Sequence, residues 1–450
     1  MRRQKRLAVL LAILILCIAA AVLISRINFE EKMTGTETTI IDVENSDITR
    51  LAWNYEEEVA FVYEDEEWKY EEDDQMPADQ DLLAEIAENL SNITSDKMVE
   101  EPQALSVYGL DDPAYTLTVE TADTVYEISI GDESFSDDEV YISTGDDYVY
   151  LTNSELIDQI SYSLLDCVQK EEIPEMETVN SVSVDKEEAV EIVYQEDAGY
   201  CYSDAYLYYL KDGEDYRNLD NDSTEDAVSA MTGFSWTECV DYHAEESELE
   251  DYGLDEPDAS VTVSYTDEDG ESGEFAYELG QSGEEYYAKL KDSSIIYTVE
   301  QEVYDAAVNA SYEELKPDEA ILLDWDTVES IEIEMDGSTY SIGVQSNGED
   351  EYTYTFDDSE VEFGDALDEL ENISIDPEEE AELNDNKAEL SLTFRRNTED
   401  YSTVELDFYQ HNGTYCIAVL DGEVTGCVAR EDVVSLKEAV NTVVLGGEEE

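Results

Sequence analysis

From Ile48 onward, apolar positions alternate with polar ones in short runs. Ile48, Leu51 and Trp53 are followed by Val59, Phe61 and Tyr63, then by Trp68 and Tyr70, with acidic turns between them. A period of two broken by turns predicts an antiparallel meander with polar side chains facing out. The period then lengthens. Behind Asp79, a good N-cap, Leu82, Leu83, Ile86, Leu90 and Ile93 fall on one helical stripe. A second meander is expected through Tyr115, Leu117 and Val119, then Tyr126, Ile128 and Ile130, then 140–142 and 148–151. A closing helix capped by Ser154 is expected through Leu156, Ile157, Ile160, Leu164 and Leu165.

Between the first helix and the second meander lies Tyr108-Gly109-Leu110-Asp111-Asp112-Pro113, which returns as Tyr252-Gly253-Leu254-Asp255-Glu256-Pro257 with five of six positions identical. Each residue answers a backbone need at a helix-to-strand corner. Gly supplies the positive φ that ends a helical turn, Asp bonds back to nearby amides, and Pro forces an extended exit. Leu110 is expected to plug the corner. Around the second copy the same order of elements recurs, with strands at 179–182, 261–263, 277–280, 286–288 and 295–297 and helices near Thr224–Thr232 and Glu300. A third, divergent copy follows Pro317, with a helix through Val361, Phe363, Leu367 and Leu370 and a last one near Glu431. Its corner has decayed to Asp376-Pro377. A period near 140 residues means whole domains in tandem. The expected fold class is α+β, with two to three repeats of meander, helix, meander, helix. The boundaries are 27–47 linker, 48–172 first repeat, 173–314 second and 315–450 third.

Residues 1–26 break the pattern. Leu7 to Ile24 are 18 consecutive apolar residues behind a basic tip, about 27 Å of helix, close to the hydrocarbon thickness of a bilayer. A cleaved signal peptide is the alternative, with Ala19-Ala20-Ala21 as its cleavage site. The run continues past those alanines through Val22-Leu23-Ile24, which favours an uncleaved anchor. The positive-inside rule then places residues 1–6 in the cytoplasm and the chain after Arg26 outside.

Composition sharpens this picture mainly through charge. The 450 residues carry 119 acids against 21 bases, a net −98, and five of the bases lie within residues 1–26, so the remainder stands near −103. Such a surface repels nucleic acid and anionic lipid. It suits solubility in a cation-rich exterior, or a surface that holds divalent cations weakly. With so many acids, close carboxylate pairs arise by chance and say little about acid–base catalysis. No GxSxG elbow, GxxxxGK[ST] loop or CxxC pair occurs, and His243 and His411 are isolated. No catalytic, cofactor or metal residue is assigned. Asp220-Asn221-Asp222-Ser223-Thr224-Glu225 starts like a calcium loop, but it has Glu225 where the turn glycine belongs and Met231 at the twelfth position. Tyr206, Tyr208 and Tyr209 are candidates for a sugar-binding platform, although alternating strand aromatics are more often core. Cys17 lies in the apolar run, leaving Cys167, Cys201, Cys239, Cys416 and Cys427. Buried free thiols are the default, and a disulfide across the hairpin turning at Asp421-Gly422 would join Cys416 to Cys427.

Trp68, Ala78-Asp79 ahead of a Leu-rich helix, Tyr108-Gly109-Leu110-Asp111 with Pro113, Ile130-Gly131, and the strands at Tyr141 and Val149-Tyr150 resemble the bacterial family called domain of unknown function 4340. The resemblance covers most of 48–168 and, more loosely, 179–310. It implies a membrane-anchored envelope protein of the kind often encoded beside ABC-type exporters, and it carries over no catalytic residues. The expectation is therefore a non-enzymatic, single-pass extracellular protein of the cell membrane, an auxiliary or scaffold subunit of an ABC-type transport complex. The alternatives are an acidic module that binds cations or cell wall, and a cryptic envelope hydrolase.

Overall fold

The computed structural model describes residues 33–34, 37–55, 57–134, 138–196, 200–348, 351–377, 379, 381, 383 and 387–446. The apolar run at 7–24 lies outside them. Among the described residues no helix is long and apolar enough to cross a membrane. The described chain is mostly β-sheet, with four antiparallel sheets and seven helices. It divides into two compact units. The first holds 1–172 with 238–244 and 294–297, and the second holds 173–237, 245–293 and 298–450.

Three of the sheets have nine strands and share one plan. In each, the first strands of two successive meanders lie side by side, and a short strand from between the meanders pairs beyond the last strand of the second. In the first sheet, whose leading meander has three strands where the others have four, Met33–Thr34 adds an outer edge. Ile48–Asn54 thus pairs with Tyr115–Thr121, Thr178–Asp185 with Ala259–Thr266, and Val328–Met335 with Ala388–Arg396. The closing strands are Lys97–Val99 on Val149–Asn153, Cys239–Asp241 on Ile296–Thr298, and Ile375–Asp376 on Glu423–Ala429. The fourth sheet pairs Thr38–Asp42 with Asn92–Ser95, and its Ile41 is fully buried. The stretch expected as linker therefore contains a packed strand.

One helix lies between the meanders in each case: Gln80–Leu90, Asn221–Thr232 and Gly364–Glu371. Asp79 accepts from Leu82 N at 3.0 Å and caps the first, whose Leu83, Ile86, Ala87 and Leu90 are buried. Val361 lies ahead of the third helix, in strand Ser359–Val361, because Phe363 takes the N-cap position. The expected closing helix at 154–165 is reduced to the single turn Glu155–Asp158 and a 3-10 turn Leu165–Cys167. Ser163 explains the break. Its backbone N and Oγ both donate to Asp166 Oδ2, at 2.8 and 2.7 Å, an arrangement that competes with helical bonding. The chain there is also held by Trp53, whose Nε1 donates to Tyr162 O at 2.8 Å. The last helix, Arg430–Val444, begins close to its expected start.

The recurring hexapeptide forms the same corner twice. Gly109 and Gly253 sit at φ +70° and +69° after short 3-10 turns. Leu110 N donates to Leu105 O at 3.0 Å and Leu254 N to Leu249 O at 2.9 Å, the six-to-one closure of a Schellman ending. Leu110 and Leu254 are buried beneath. Tyr108 packs with Val99, Val149 and Leu151, its ring 5.0 Å from that of Tyr141, and Tyr252 meets Tyr287 at 5.1 Å.

All five described cysteines are free thiols. The alternative to the default of free thiols, a Cys416–Cys427 bridge, is not formed, for a reason of register. In that hairpin Cys416 pairs with Val428 and Cys427 with Ile417. A one-residue offset points the two side chains to opposite faces, and they pack in different apolar clusters.

Candidate functional site

In the second unit, residues 200–207 leave the sheet begun at Thr178 and enter another core, and the chain rejoins the sheet at Tyr208. Tyr202, Tyr206 and Tyr209 are buried together with Ala320–Leu323 and the apolar face of the sheet begun at Val328. Tyr206 and Tyr209 are thus packing residues and not a sugar platform; Tyr208 is half-buried beside Tyr194. The insertion is held by Asp324, whose carboxylate accepts from Ser203 Oγ at 3.1 Å, Asp204 N at 2.9 Å and Arg396 Nη2 at 3.3 Å.

This insertion builds one wall of a cavity of about 1010 Å³. The strand Asp215–Asn218 and the chain at Tyr312–Ala320 line it, and it is completed by Ile375–Pro377 and the Glu423–Gly426 end of a hairpin. Arg217 lies over the Tyr312 ring, its guanidinium carbon 3.2 Å from the centroid, so the cavity already holds one cation on an aromatic face. Lys316 is paired with Glu313 at 2.7 Å.

At the cavity wall Glu319 belongs to a carboxylate group of three, with Asp220 and Asp318, whose oxygens lie within 4.8 Å of one another. Asp220 is there as the cap of Asn221–Thr232, accepting from Ser223 N at 2.8 Å. Glu319 is fixed by an isolated bridge to Ser374. Burial pushes the Glu319 carboxyl above the usual range and its two acidic neighbours add to that, while a hydrogen bond from the Tyr206 hydroxyl opposes them. Burial likewise raises Tyr206, and it pushes Tyr202 up to about 12. The Tyr202 hydroxyl accepts from Leu322 N at 3.3 Å and meets the Tyr206 hydroxyl at 3.3 Å. A polar chain therefore runs from the backbone to Glu319. Three oxygen donors would supply part of the six to eight that calcium takes.

The geometry agrees with the departures of this stretch from a calcium loop. Residues 221–225 are the first turn of a helix, so only Asp220 joins the carboxylate group, and its partners come from a segment about 100 residues away. The corner residues Tyr108, Gly109, Leu110, Asp111 and Pro113, with Tyr252, Gly253, Leu254, Asp255 and Pro257, take no part in lining the cavity. Sequence reading missed Arg217, Glu319 and Glu423. The one local signal was Lys316-Pro317-Asp318-Glu319, a charged turn immediately ahead of the apolar run Ala320-Ile321-Leu322-Leu323.

A family model described as Domain of unknown function (DUF4340) matches residues 68–203 and 209–390. Tyr202, Arg217 and Glu319 fall inside the matched segments, and Tyr206 and Glu423 fall outside. No curated protein and no solved structure matches the chain. With most of its length matched, including both copies of the corner, the chain belongs to the DUF4340 family.

Proposed function

We propose that this chain is a non-enzymatic scaffold protein of the cell envelope, an auxiliary subunit of an ABC-type transport complex. Residues 7–24 anchor it in the membrane, and three tandem α+β repeats at 48–172, 173–314 and 315–450 lie on the extracellular side. The observation that carries this reading is the central arrangement common to three successive nine-stranded sheets, two paired meanders with a short strand from between them beyond the second. A chain that repeats one sheet plan behind a basic, apolar N-terminus is organised to present surface away from a membrane. Chemical cross-linking of native membranes followed by mass spectrometry tests it. Transporter subunits should be the dominant partners, and their absence in cells that express both would overturn the reading.

A second reading, a cation-binding module, is favoured by Asp220, Asp318 and Glu319. Calorimetric titration with Ca²⁺ separates the two. A stoichiometric micromolar site lost in Glu319→Gln supports the module, and millimolar, non-stoichiometric uptake refutes it.

A further inference from the structure

We propose that the cavity of the second unit is a docking groove for an extended, basic segment of a partner protein, taken up as an added strand on Asp215–Asn218. This goes beyond the scaffold reading, because it rests on the groove alone and holds for a partner of any complex.

Three observations converge. The first is an open sheet edge: Asp215–Asn218 is the terminal strand of its sheet, and all four of its residues line the cavity. A terminal strand offers backbone donors and acceptors to an incoming chain, the basis of recognition by strand addition. Four residues at roughly 3.3 Å each give about 13 Å of edge, enough for a segment of similar length.

The second is size. At about 1010 Å³ the cavity sits at the top of the roughly 300–1,000 Å³ range of small-molecule pockets, and it is partly open to solvent.

The third is charge. Six carboxylates line the groove, Glu319, Glu379 and Glu423 among them, against Arg217 and Lys316. Lys316 is paired with Glu313, and Arg217 keeps its charge over the Tyr312 ring, so the lining still carries an excess of acids over bases and its field is negative. Side chains alternate along an extended chain, so a segment with Lys or Arg at every second position directs all of its cations to one wall. Charge complementarity of this kind sets both on-rate and partner choice. Acidity alone would take any cation; the strand edge restricts the occupant to a polypeptide backbone.

The test uses the full chain in detergent micelles and three fluorescein-labelled octapeptides. One alternates Lys with Thr, one has Glu for each Lys, and one repeats the Lys peptide with alternate backbone nitrogens methylated. Anisotropy titrations should show the Lys peptide binding at least tenfold more tightly than either other peptide. The double variant Glu319→Gln, Glu423→Gln should weaken it about tenfold, whereas Asp81→Asn with Glu85→Gln, on the exposed face of a helix in the first unit, should leave it unchanged. The proposal is overturned if the methylated peptide binds as well as the parent, which would mean charge alone. It is equally overturned if the groove variant behaves as the helix variant, or if the Lys peptide does not bind. Thermal melts of both variants confirm that folding is retained.

Discussion

Gly131 lies against the carbonyl oxygen of Tyr108 so closely that a Cβ at position 131 would overlap it, and the next amide, Asp132 N, donates to that same oxygen at 2.9 Å. The second corner repeats the relationship, with Gly280 beneath the carbonyl of Gly253. The hexapeptide and the later Ile-Gly or Leu-Gly are therefore two halves of one contact, in which a strand without a side chain receives a turn. Gly131→Ala and Gly280→Ala should each destabilise their unit by about 2–3 kcal/mol, the cost of overpacking a site that backbone encloses. Gly270→Ala makes the opposite case, at positive φ with nothing near its added Cβ, whereas Gly131 and Gly280 are not at positive φ; it should cost ~1 kcal/mol, from conformation alone. Urea midpoints of the three variants decide it, and an unchanged midpoint in Gly131→Ala or Gly280→Ala would show that the close contact carries no stability.

Asp324 faces a different burden. Arg396 is buried, and Asp324 is the acid placed on its guanidinium. Asp324→Ala should cost roughly 3 kcal/mol, because it strands a buried cation. The same change removes two bonds that hold the 203–204 turn. Hydrogen exchange should therefore quicken at 200–206 beyond the global loss, and unchanged exchange there would disprove the role of Asp324 in seating the insertion.

Glu319 gives a pH dependence with a definite sign. Its carboxyl is raised in the folded chain, chiefly by burial and then by Asp220 and Asp318. Unfolded, it ionises near the ordinary value of about 4.3. The folded state keeps its proton to higher pH, so the contribution of Glu319 is fully present below the unfolded pKa and is lost as pH rises through the folded one. Glu319→Gln, which still offers Tyr206 an acceptor, should melt higher than the parent at pH 8 and together with it at pH 3.5. A difference that grows toward acid would reverse the assignment.

The thiols supply a chemical check. Burial pushes the Cys416 thiol up to about 11 and that of Cys167 to about 12, and Cys427 is raised for the same reason. A thiolate is the reactive species, so maleimide at pH 7.5 should leave all three unlabelled in the native protein. It should label all three after denaturation without reductant. Peptide mapping reads both, and a Cys416–Cys427 cross-linked peptide would contradict the register of their hairpin.

Local grammar made much of this fold legible. Asp79 announced its helix by capping, Gly109 and Gly253 announced corners, and alternation marked the strands. Ser163 and Asp166 were harder to read, because a serine that captures a nearby carboxylate looks the same in sequence as one inside a helix. The insertion at 200–207 was hidden for another reason. Its tyrosines alternate like any strand, and only the tertiary fold sends Tyr202 and Tyr206 into the core that also holds Ile331 and Phe394. The groove was invisible because Arg217, Glu319 and Glu423 lie about 100 residues apart and none of them belongs to a spaced motif.

The net charge of −98 sets the broadest expectation. Most described cations already sit in pairs, such as Lys97–Glu139 at 2.6 Å and Lys289–Glu278 at 2.7 Å, so the excess acids repel one another with little internal relief. Unfolding spreads those charges and lowers their repulsion, which favours the unfolded chain at low ionic strength. Screening reverses the balance, since the Debye length falls from roughly 30 Å at 0.01 M salt to about 10 Å at 0.1 M. The melting temperature should therefore climb steeply between 10 and 100 mM NaCl and flatten toward 500 mM. Equal ionic strengths of NaCl and choline chloride should act alike if screening is the cause, whereas a rise confined to CaCl₂ at micromolar concentration would assign the effect to a bound ion. A melting temperature flat across the whole range would show that the repulsion is already neutralised within the folded chain.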